Sequence, residues 1–132
     1  MRIANPVGKK GEDIAVEYLK KKGYTILERN YRKQYAEIDI IGIDPSTCSI
    51  HSGKNEPTLV FVEVKTRTSN AFGTPFEAIT PWKLRPITKL AEYYKMTHVH
   101  VPNAMRIDAI AVMLNAINEV EKIEHMENIS GF

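Results

Sequence analysis

Charged side chains follow directly on a hydrophobic strand in the stretch Leu59–Lys65, which reads LVFVEVK. Because side chains alternate faces along a strand, the three valines share one face, whereas Glu63 and Lys65 share the other, roughly 7 Å apart. Apolar residues on both faces before the charges begin predict a central strand that is covered on both sides. An unpaired carboxylate buried there would cost several kcal/mol, so Glu63 requires partners.

A second acid interrupts the strand that we predict over Glu37–Ile43. Alternation places Asp39 on one face with Ile41, opposite Ile38 and Ile40. This strand precedes the Leu59 strand along the chain, and we expect the two to be neighbours in an antiparallel hairpin.

A third acid lies on the core-facing side of the first predicted helix, Gly8–Lys22. Glu12 precedes Ala15 and Leu19 by three and seven residues, which is the spacing of one helix face. Taken alone, Glu12 is better explained by the preference of acids for the first turn of a helix.

Together, Glu12, Asp39 and Glu63 form a set of carboxylates beside Lys65. Two carboxylates about 5 Å apart repel by roughly 3 kcal/mol at an effective dielectric near 20. A divalent cation removes that repulsion, and open oxygen sites of this kind suit Mg²⁺ or Mn²⁺. Such an ion activates water, and a nearby lysine stabilises charge in the transition state. The alternative is a structural ion-pair network, which the core-facing placement of three acids makes the less favoured interpretation.

Composition sets limits on the partners and the compartment. The net charge is only +2, and the positive excess lies before Met96. For so small an excess, solvated surface charges are the favoured explanation. Six basic residues of that part are nevertheless candidates for phosphate contacts: Lys9, Lys10, Arg32, Lys33, Arg67 and Lys83. The single cysteine excludes an internal disulfide and favours the cytoplasm. No signal sequence or membrane-spanning run is evident, so we expect no membrane partner.

The element order predicts one α/β domain over residues 1–132. We expect a helix, three strands, a second helix and two strands, giving three layers with a central mixed sheet flanked by helices. The first strand, Tyr24–Tyr31, would lie near an edge, and Asp44–Pro57 would form a long hairpin loop. Val99–Val101 and Arg106–Leu114 would be the last two strands.

The second helix is predicted to begin at Thr80 and Pro81, an N-cap followed by a first-turn proline. Pro86 would kink or split this helix near its start. A turn at Gly73 and Pro75 would precede it. Of the remaining polar residues, Arg106 and Asp108 share a strand face and predict a structural ion pair, Glu37 would pair with a nearby base, and His125 carries no interpretation.

Three segments resemble the YraN-like endonuclease family, which belongs to the restriction-endonuclease-like superfamily with its PD-(D/E)XK signature. They are Gly11-Glu12, Glu37-Ile38-Asp39 and Phe61–Arg67, and Arg106-x-Asp108 and Glu124-His125-x-x-Asn128 also fit the family pattern. The resemblance implies a restriction-endonuclease-like fold and a Mg²⁺-dependent nuclease. It places Glu12, Asp39 and Glu63 as metal ligands and Lys65 as the catalytic lysine.

Two functions follow as expectations. The first is a Mg²⁺- or Mn²⁺-dependent endonuclease that acts on nucleic acid, with DNA favoured. Fold analogy with junction-resolving nucleases suggests branched or flapped DNA. The second is a nucleic-acid-binding accessory protein that keeps the fold without catalysis. Both are compatible with a homodimer, and neither requires a small-molecule cofactor.

Overall fold

A computed structural model describes residues 6–48, 55–68 and 81–130. At residues 46–48, 55 and 81–83 it describes the backbone alone. Two helices and five strands follow one another in the order that the sequence predicts. They are α1 (Pro6–Lys21), β1 (Thr25–Lys33), β2 (Ala36–Cys48), β3 (Asn55–Thr68), α2 (Pro81–Thr97), β4 (Ala104–Leu114) and β5 (Val120–Met126).

The strands form one sheet in the order β1-β2-β3-β4-β5. Strand β3 lies at the centre, antiparallel to β2 and parallel to β4, so the sheet is mixed. The predicted edge position of the first strand is confirmed. The helices pack on opposite faces, and the result is the predicted three-layer, restriction-endonuclease-like arrangement.

Side chains that alternate between the two faces of β3 belong to two apolar clusters, one on each face of the sheet. Val60 and Val62 pack with Ala15 and Leu19 of α1. On the other face, Leu59 and Phe61 pack in the cluster that contains Leu90 and Tyr94 of α2. Burial on both faces of β3 confirms the central, two-sided strand that the sequence predicts.

Helix α1 ends where the sequence places its stop signal. Gly23 has a φ of 92°, a conformation that glycine adopts without a side-chain penalty. The N–H of Gly23 donates to the carbonyl of Lys20, and the N–H of Tyr24 donates to the carbonyl of Leu19. These two bonds close a Schellman motif, and Tyr24 and Leu19 pack in the same cluster.

The last two strands correct the prediction. Val99–Val101 is a turn rather than a strand, and Val99 is 82% exposed. Strand β4 instead begins at Ala104, and the final strand is β5, whose acidic and basic residues hide the apolar alternation. An edge strand that is half exposed needs few apolar residues, so its periodicity is weak.

Two predicted interruptions are also wrong where the structure describes them. Strand β2 runs on to Cys48 and β3 resumes at Asn55, so most of the predicted loop Asp44–Pro57 is strand. Helix α2 is continuous from Pro81 to Thr97 with Pro86 inside it, so the predicted split is wrong; a proline there removes a single hydrogen bond near the helix start. The Gly73 and Pro75 turn and the Thr80 N-cap lie outside the described residues.

In the described part of the chain, neither helix is long and apolar enough to cross a membrane.

Candidate functional site at a fork between strands β2 and β3

The hydrogen-bonded pairing of β2 with β3 reaches its last pair at Ile40 and Val62. Continued in register, the strands would pair Asp39 with Glu63 and Ile38 with Val64. Instead, the N–H of Val64 donates to the Oδ2 atom of Asp39 at 2.7 Å. A side-chain carboxylate thus accepts a bond that a strand carbonyl would accept in a regular ladder. The two strands separate at this point, and we call the opening between them the fork.

The fork breaks the side-chain alternation that the sequence predicts for β2. Ile38 packs with Ile41 on the α2 side, whereas Ile40 packs on the α1 side. The prediction that Ile38 and Ile40 share a face is therefore wrong. The adjoining strand is irregular at the same level, because Asn30 of β1 has a φ of 52°. This local distortion lets Asp39 turn toward β3.

Glu63 and Lys65 lie on the β3 side of the fork. The Nζ atom of Lys65 is 3.1 Å from the Oε1 atom of Glu63, and the two side chains are 22% and 18% exposed. A contact between residues two apart shows that they share a face of the strand, as predicted. Both groups are shielded but reachable from solvent, which suits residues that meet a substrate.

Helix α1 brings Glu12 to the fork through a close approach at Gly11. A Cβ atom added at Gly11 would overlap the Oγ1 atom of Thr66 and lie 2.9 Å from its Cβ atom. The missing side chain therefore allows α1 to touch the end of β3 immediately after Lys65. Glycine in the middle of a helix is destabilising by about 1 kcal/mol relative to alanine. Gly11 therefore lowers the stability of α1 itself but permits its close contact with β3.

Replacing Gly11 by alanine is expected to lower the free energy of unfolding by about 1–2 kcal/mol, because overpacking against Thr66 outweighs the gain in helix propensity. Urea unfolding measures the loss. Thr66→Ala in the same chain should restore part of it, since it removes the overlapping Oγ1 atom. A stabilised Gly11→Ala protein would mean that α1 does not depend on this contact.

Electrostatics identify Asp39 as the most strained group at the fork. Burial, and then the neighbouring carboxylate of Glu63, raise the pKa of Asp39 to about 8. Glu12 adds to the rise, whereas the Val64 N–H and the charge of Lys65 oppose it. The four residues that the sequence predicts as a site therefore act on one another. The charged form of Asp39 is therefore disfavoured at the fork.

A second layer of contacts holds Glu12 from the β1 side. The Nδ2 atom of Asn30 donates to Oε2 of Glu12 at 3.1 Å and to Oε1 of Glu37 at 3.2 Å. The Nε atom of Arg32 lies 3.5 Å from Oε2 of Glu37. The prediction that Glu37 pairs with a nearby base is confirmed. Asn30 was missed by the sequence reasoning, and its positive φ gives no clear signal in the sequence.

The candidate phosphate-binding residues lie at the same end of the sheet as the fork. Lys9 and Lys10 are exposed on α1 beside Gly11, while Arg32 and Lys33 are exposed at the end of β1. Arg67 is half-buried at the end of β3, where its Nη1 atom donates to the carbonyl of Thr66. Lys83 is in α2, and its side chain lies outside the described residues.

A second polar cluster lies toward the opposite end of the sheet, under α1. Arg106 donates to Asp108 through Nε at 2.9 Å and through Nη2 at 3.2 Å. Its Nη2 atom also donates to the hydroxyl of Tyr24 at 2.7 Å and to Oδ2 of Asp44 at 3.0 Å. Asp108 is fully buried. The predicted Arg106 and Asp108 ion pair is confirmed.

His125 completes this cluster from β5. Its Nε2 atom is 2.8 Å from Oδ2 of Asp108, and its Nδ1 atom is 3.2 Å from the hydroxyl of Tyr18. Burial alone would raise the pKa of Asp108, but hydrogen bonds from His125, Arg106 and the Asn128 N–H outweigh it and lower the pKa. The sequence reasoning missed His125, Tyr24 and Asp44, because long-range contacts leave no local pattern.

The described residues contain one group whose three ligand atoms lie within 4.8 Å of one another, formed by Asp108, His125 and Glu127. This group could hold a metal ion. However, both oxygens of Asp108 already accept hydrogen bonds, and the Nη2 atom of Arg106 lies 3.7 Å from Glu127. A cation would have to compete with the guanidinium, so this cluster is better suited to a structural role. Among the described residues, Glu12, Asp39 and Glu63 do not form such a three-ligand group, and Lys65 and Asn30 contact Glu63 and Glu12.

A mixed five-stranded sheet between two helices, with a charged fork beside its central strand, defines a three-layer α/β protein of the restriction-endonuclease-like fold. The chain belongs to the family described as "Uncharacterised protein family UPF0102", whose family model matches residues 11–112. Those residues include Glu12, Asp39, Glu63 and Lys65.

Relatives from three bacteria match almost end to end. The chain is 43% identical over 122 residues to a UPF0102 protein of Caldicellulosiruptor saccharolyticus, with 92% of this chain and 94% of the relative covered. It is 44% identical over 124 residues to one from Alkaliphilus oremlandii, with 92% and 95% covered. A UPF0102 protein of Christiangramia forsetii is 39% identical over 124 residues, with 94% and 92% covered.

Proposed function

We propose that this protein is a metal-dependent endonuclease that hydrolyses phosphodiester bonds in nucleic acid, with DNA as the favoured substrate. The observation that carries the proposal is the fork itself. Strand pairing stops where Asp39 reaches β3, and there three acids and a lysine from α1, β2 and β3 act on one another. Strained groups of this kind cluster at functional sites, because function rather than stability maintains them.

The donor set fits a hard divalent cation. Asp39, Glu63 and Glu12 supply carboxylate oxygens, and such ligands leave positions for water and phosphate oxygens on Mg²⁺ or Mn²⁺. When bound, the ion would lower the pKa of a water molecule and neutralise charge that develops on the phosphate. Because the pKa of Asp39 is raised to about 8, a cation at this carboxylate would displace a proton at neutral pH.

Lys65 would then act on the reacting phosphate. Its ammonium group lies against Glu63 and is partly exposed, so a small rotation about its flexible stem would direct it into the fork. A compact cation there stabilises the extra negative charge of the transition state. Lys9, Lys10, Arg32, Lys33 and Lys83, together with Arg67, would contribute contacts to the phosphate backbone on either side.

The direct test of the proposed function is a cleavage panel. Purified protein is incubated with linear, flapped and four-way DNA and with RNA, each with Mg²⁺, with Mn²⁺ and with EDTA. Metal-dependent cutting of any member supports the proposal. If nothing is cut while nucleic acid is bound, the protein is an accessory factor that keeps the fold without catalysis. A cytoplasmic location and a homodimeric state stay predictions.

A further inference from the structure

A patch of tyrosines and lysines lies between the β1–β2 hairpin and α2, outside the fork. Tyr35, at the hairpin tip, is 43% exposed, and Tyr93, on α2, is 38% exposed. The Nζ atom of Lys89 lies 4.7 Å from the ring centre of Tyr35. The Nζ atom of Lys33 lies 5.4 Å from the ring centre of Tyr93 and 5.6 Å from that of Tyr31. We refer to Lys33, Tyr35, Lys89 and Tyr93 as the stacking patch.

The stacking patch rests on a fixed aromatic base. Tyr31 contacts Tyr94 edge to face, with ring centres 5.1 Å apart, and Tyr94 contacts Phe61 in the same way at 6.0 Å. Tyr94 and Phe61 are buried in the core. Lys33, which lies over both Tyr31 and Tyr93, links the patch to this base where the sheet meets α2. A tyrosine side chain loses little entropy when it binds a partner.

The stacking patch lies at the same end of the sheet as the fork. Lys33 pairs with Ala36 at the hairpin, and Asp39 follows Ala36 by three residues on β2. At about 3.3 Å per residue, the hairpin end of β2 is about 10 Å from the Asp39 position. Arg32 and Glu37 connect the two areas, and Glu37 shares its Asn30 partner with Glu12. A polymer that crosses the fork can therefore also reach the patch.

We propose that the stacking patch binds unpaired nucleotides next to the scissile phosphate, so that the substrate is a nucleic acid with a single-stranded segment. This inference rests on the proposed function, since it defines the substrate of the same site. Aromatic rings interleaved with basic residues are the feature by which proteins hold single strands, because every base offers a flat face for stacking and every nucleotide a phosphate.

Duplex DNA would make poor use of this surface. In a duplex the base faces are covered by their neighbours, and only phosphates and groove edges are presented. Lysines alone would be enough to contact the phosphates of a duplex. Two exposed tyrosines add apolar ring surface, which contributes binding energy when a partner stacks on it. Interfaces between protein copies are also rich in tyrosine, so a second copy of this chain is the competing occupant that the experiment must separate.

Binding is measured by fluorescence anisotropy in EDTA, where no cleavage occurs, with a labelled single strand and a blunt duplex of equal length. Tyr35→Ala with Tyr93→Ala is expected to weaken single-strand binding about tenfold or more, and to change duplex binding far less. The matched control is Tyr35→Phe with Tyr93→Phe, which keeps both rings and should bind nearly as the wild type does. Urea unfolding checks that all three proteins are equally folded.

Equal losses on single strand and duplex, or no loss on either, would overturn the inference. Sedimentation of the same proteins tests the competing occupant. A wild-type dimer that becomes a monomer when Tyr35 and Tyr93 are both replaced by alanine would also overturn the inference. The outcome is independent of catalysis. A patch that binds single strands in a protein that cuts nothing would support the binding surface but overturn the nuclease, whereas metal-dependent cutting with no single-strand preference would support the nuclease and overturn the inference.

Discussion

Lys65→Ala is expected to reduce metal-dependent cleavage by about 10²- to 10³-fold or more, while metal binding and nucleic-acid binding change little. Removing one preorganised donor to a developing negative charge typically costs this much in rate. The ground state loses little, because Lys65 contacts Glu63 rather than a buried partner, and both side chains reach solvent. Single-turnover kinetics with saturating protein separates the chemical step from binding.

Strand β5 offers a matched control for this substitution. Lys122 forms the same two-residue pair with Glu124, with Nζ and Oε1 2.6 Å apart, on edge strand β5, which β4 separates from β3. Lys122→Ala removes an equivalent charge and stem, and it should leave the cleavage rate unchanged. If Lys65→Ala cuts as fast as Lys122→Ala does, the assignment of Lys65 to the transition state is wrong.

Asp39→Asn and Asp108→Asn are expected to change stability in opposite directions when both are unfolded in EDTA. The buried Asp108 takes hydrogen bonds from Arg106, His125 and the Asn128 N–H, so its loss leaves a buried guanidinium without its main partner. Breaking one side of such a pair costs roughly 3–5 kcal/mol. Asp39→Asn should instead leave the protein as stable or make it more stable, because it removes a carboxyl group whose charged form is disfavoured by burial and then by Glu63 and Glu12.

The pH dependence of the free energy of unfolding predicts the direction in which Asp39→Asn changes stability. The folded pKa of Asp39, about 8, lies above its ordinary value of 3.8, so the folded protein holds a proton that the unfolded chain releases. Stability from this group is present below pH 4 and is lost as the pH rises toward 8, by at most about 1.4 kcal/mol per pH unit. Asparagine does not titrate, so the difference between Asp39→Asn and wild type should grow over that range and level off above it.

Urea midpoints at pH 5, 7 and 9 in EDTA measure this difference. Glu63 and Glu12 remain in both proteins, so the comparison isolates one carboxylate. A clearly lower midpoint for Asp39→Asn at every pH would show that Asp39 belongs to a stabilising network, as Asp108 does.

Much of the fold could be predicted from local patterns. The Leu59–Lys65 stretch gave the central strand and its two faces, and Gly23 gave the end of α1, because each depends on neighbours in the chain. Strand β5 could not be found in this way, since a half-exposed edge strand carries charges on both faces. Likewise, Pro86 suggested a break that the continuous helix does not show.

The site, too, has features that local patterns predict and features that depend on distant residues. Core-facing acids on α1, β2 and β3 were predictable because an acid in an apolar stripe stands out. The distortion that turns Asp39 toward Val64 was not, because it depends on Asn30 of the neighbouring strand. The cluster around Asp108 joins residues up to 107 positions apart, from Tyr18 to His125, and no local sequence signal connects them.

The most direct test of the fork as a metal site is the response of thermal stability to Mn²⁺ in wild type, Asp39→Asn and Glu127→Gln. Mass action should stabilise wild type by about 2.7 kcal/mol when Mn²⁺ is at a hundred times its dissociation constant. Glu127, which is 56% exposed, belongs to the competing Asp108 group, so Glu127→Gln should respond as wild type does, whereas Asp39→Asn should respond little. A wild type indifferent to Mn²⁺, or a response lost in Glu127→Gln and kept in Asp39→Asn, would contradict a metal site at the fork.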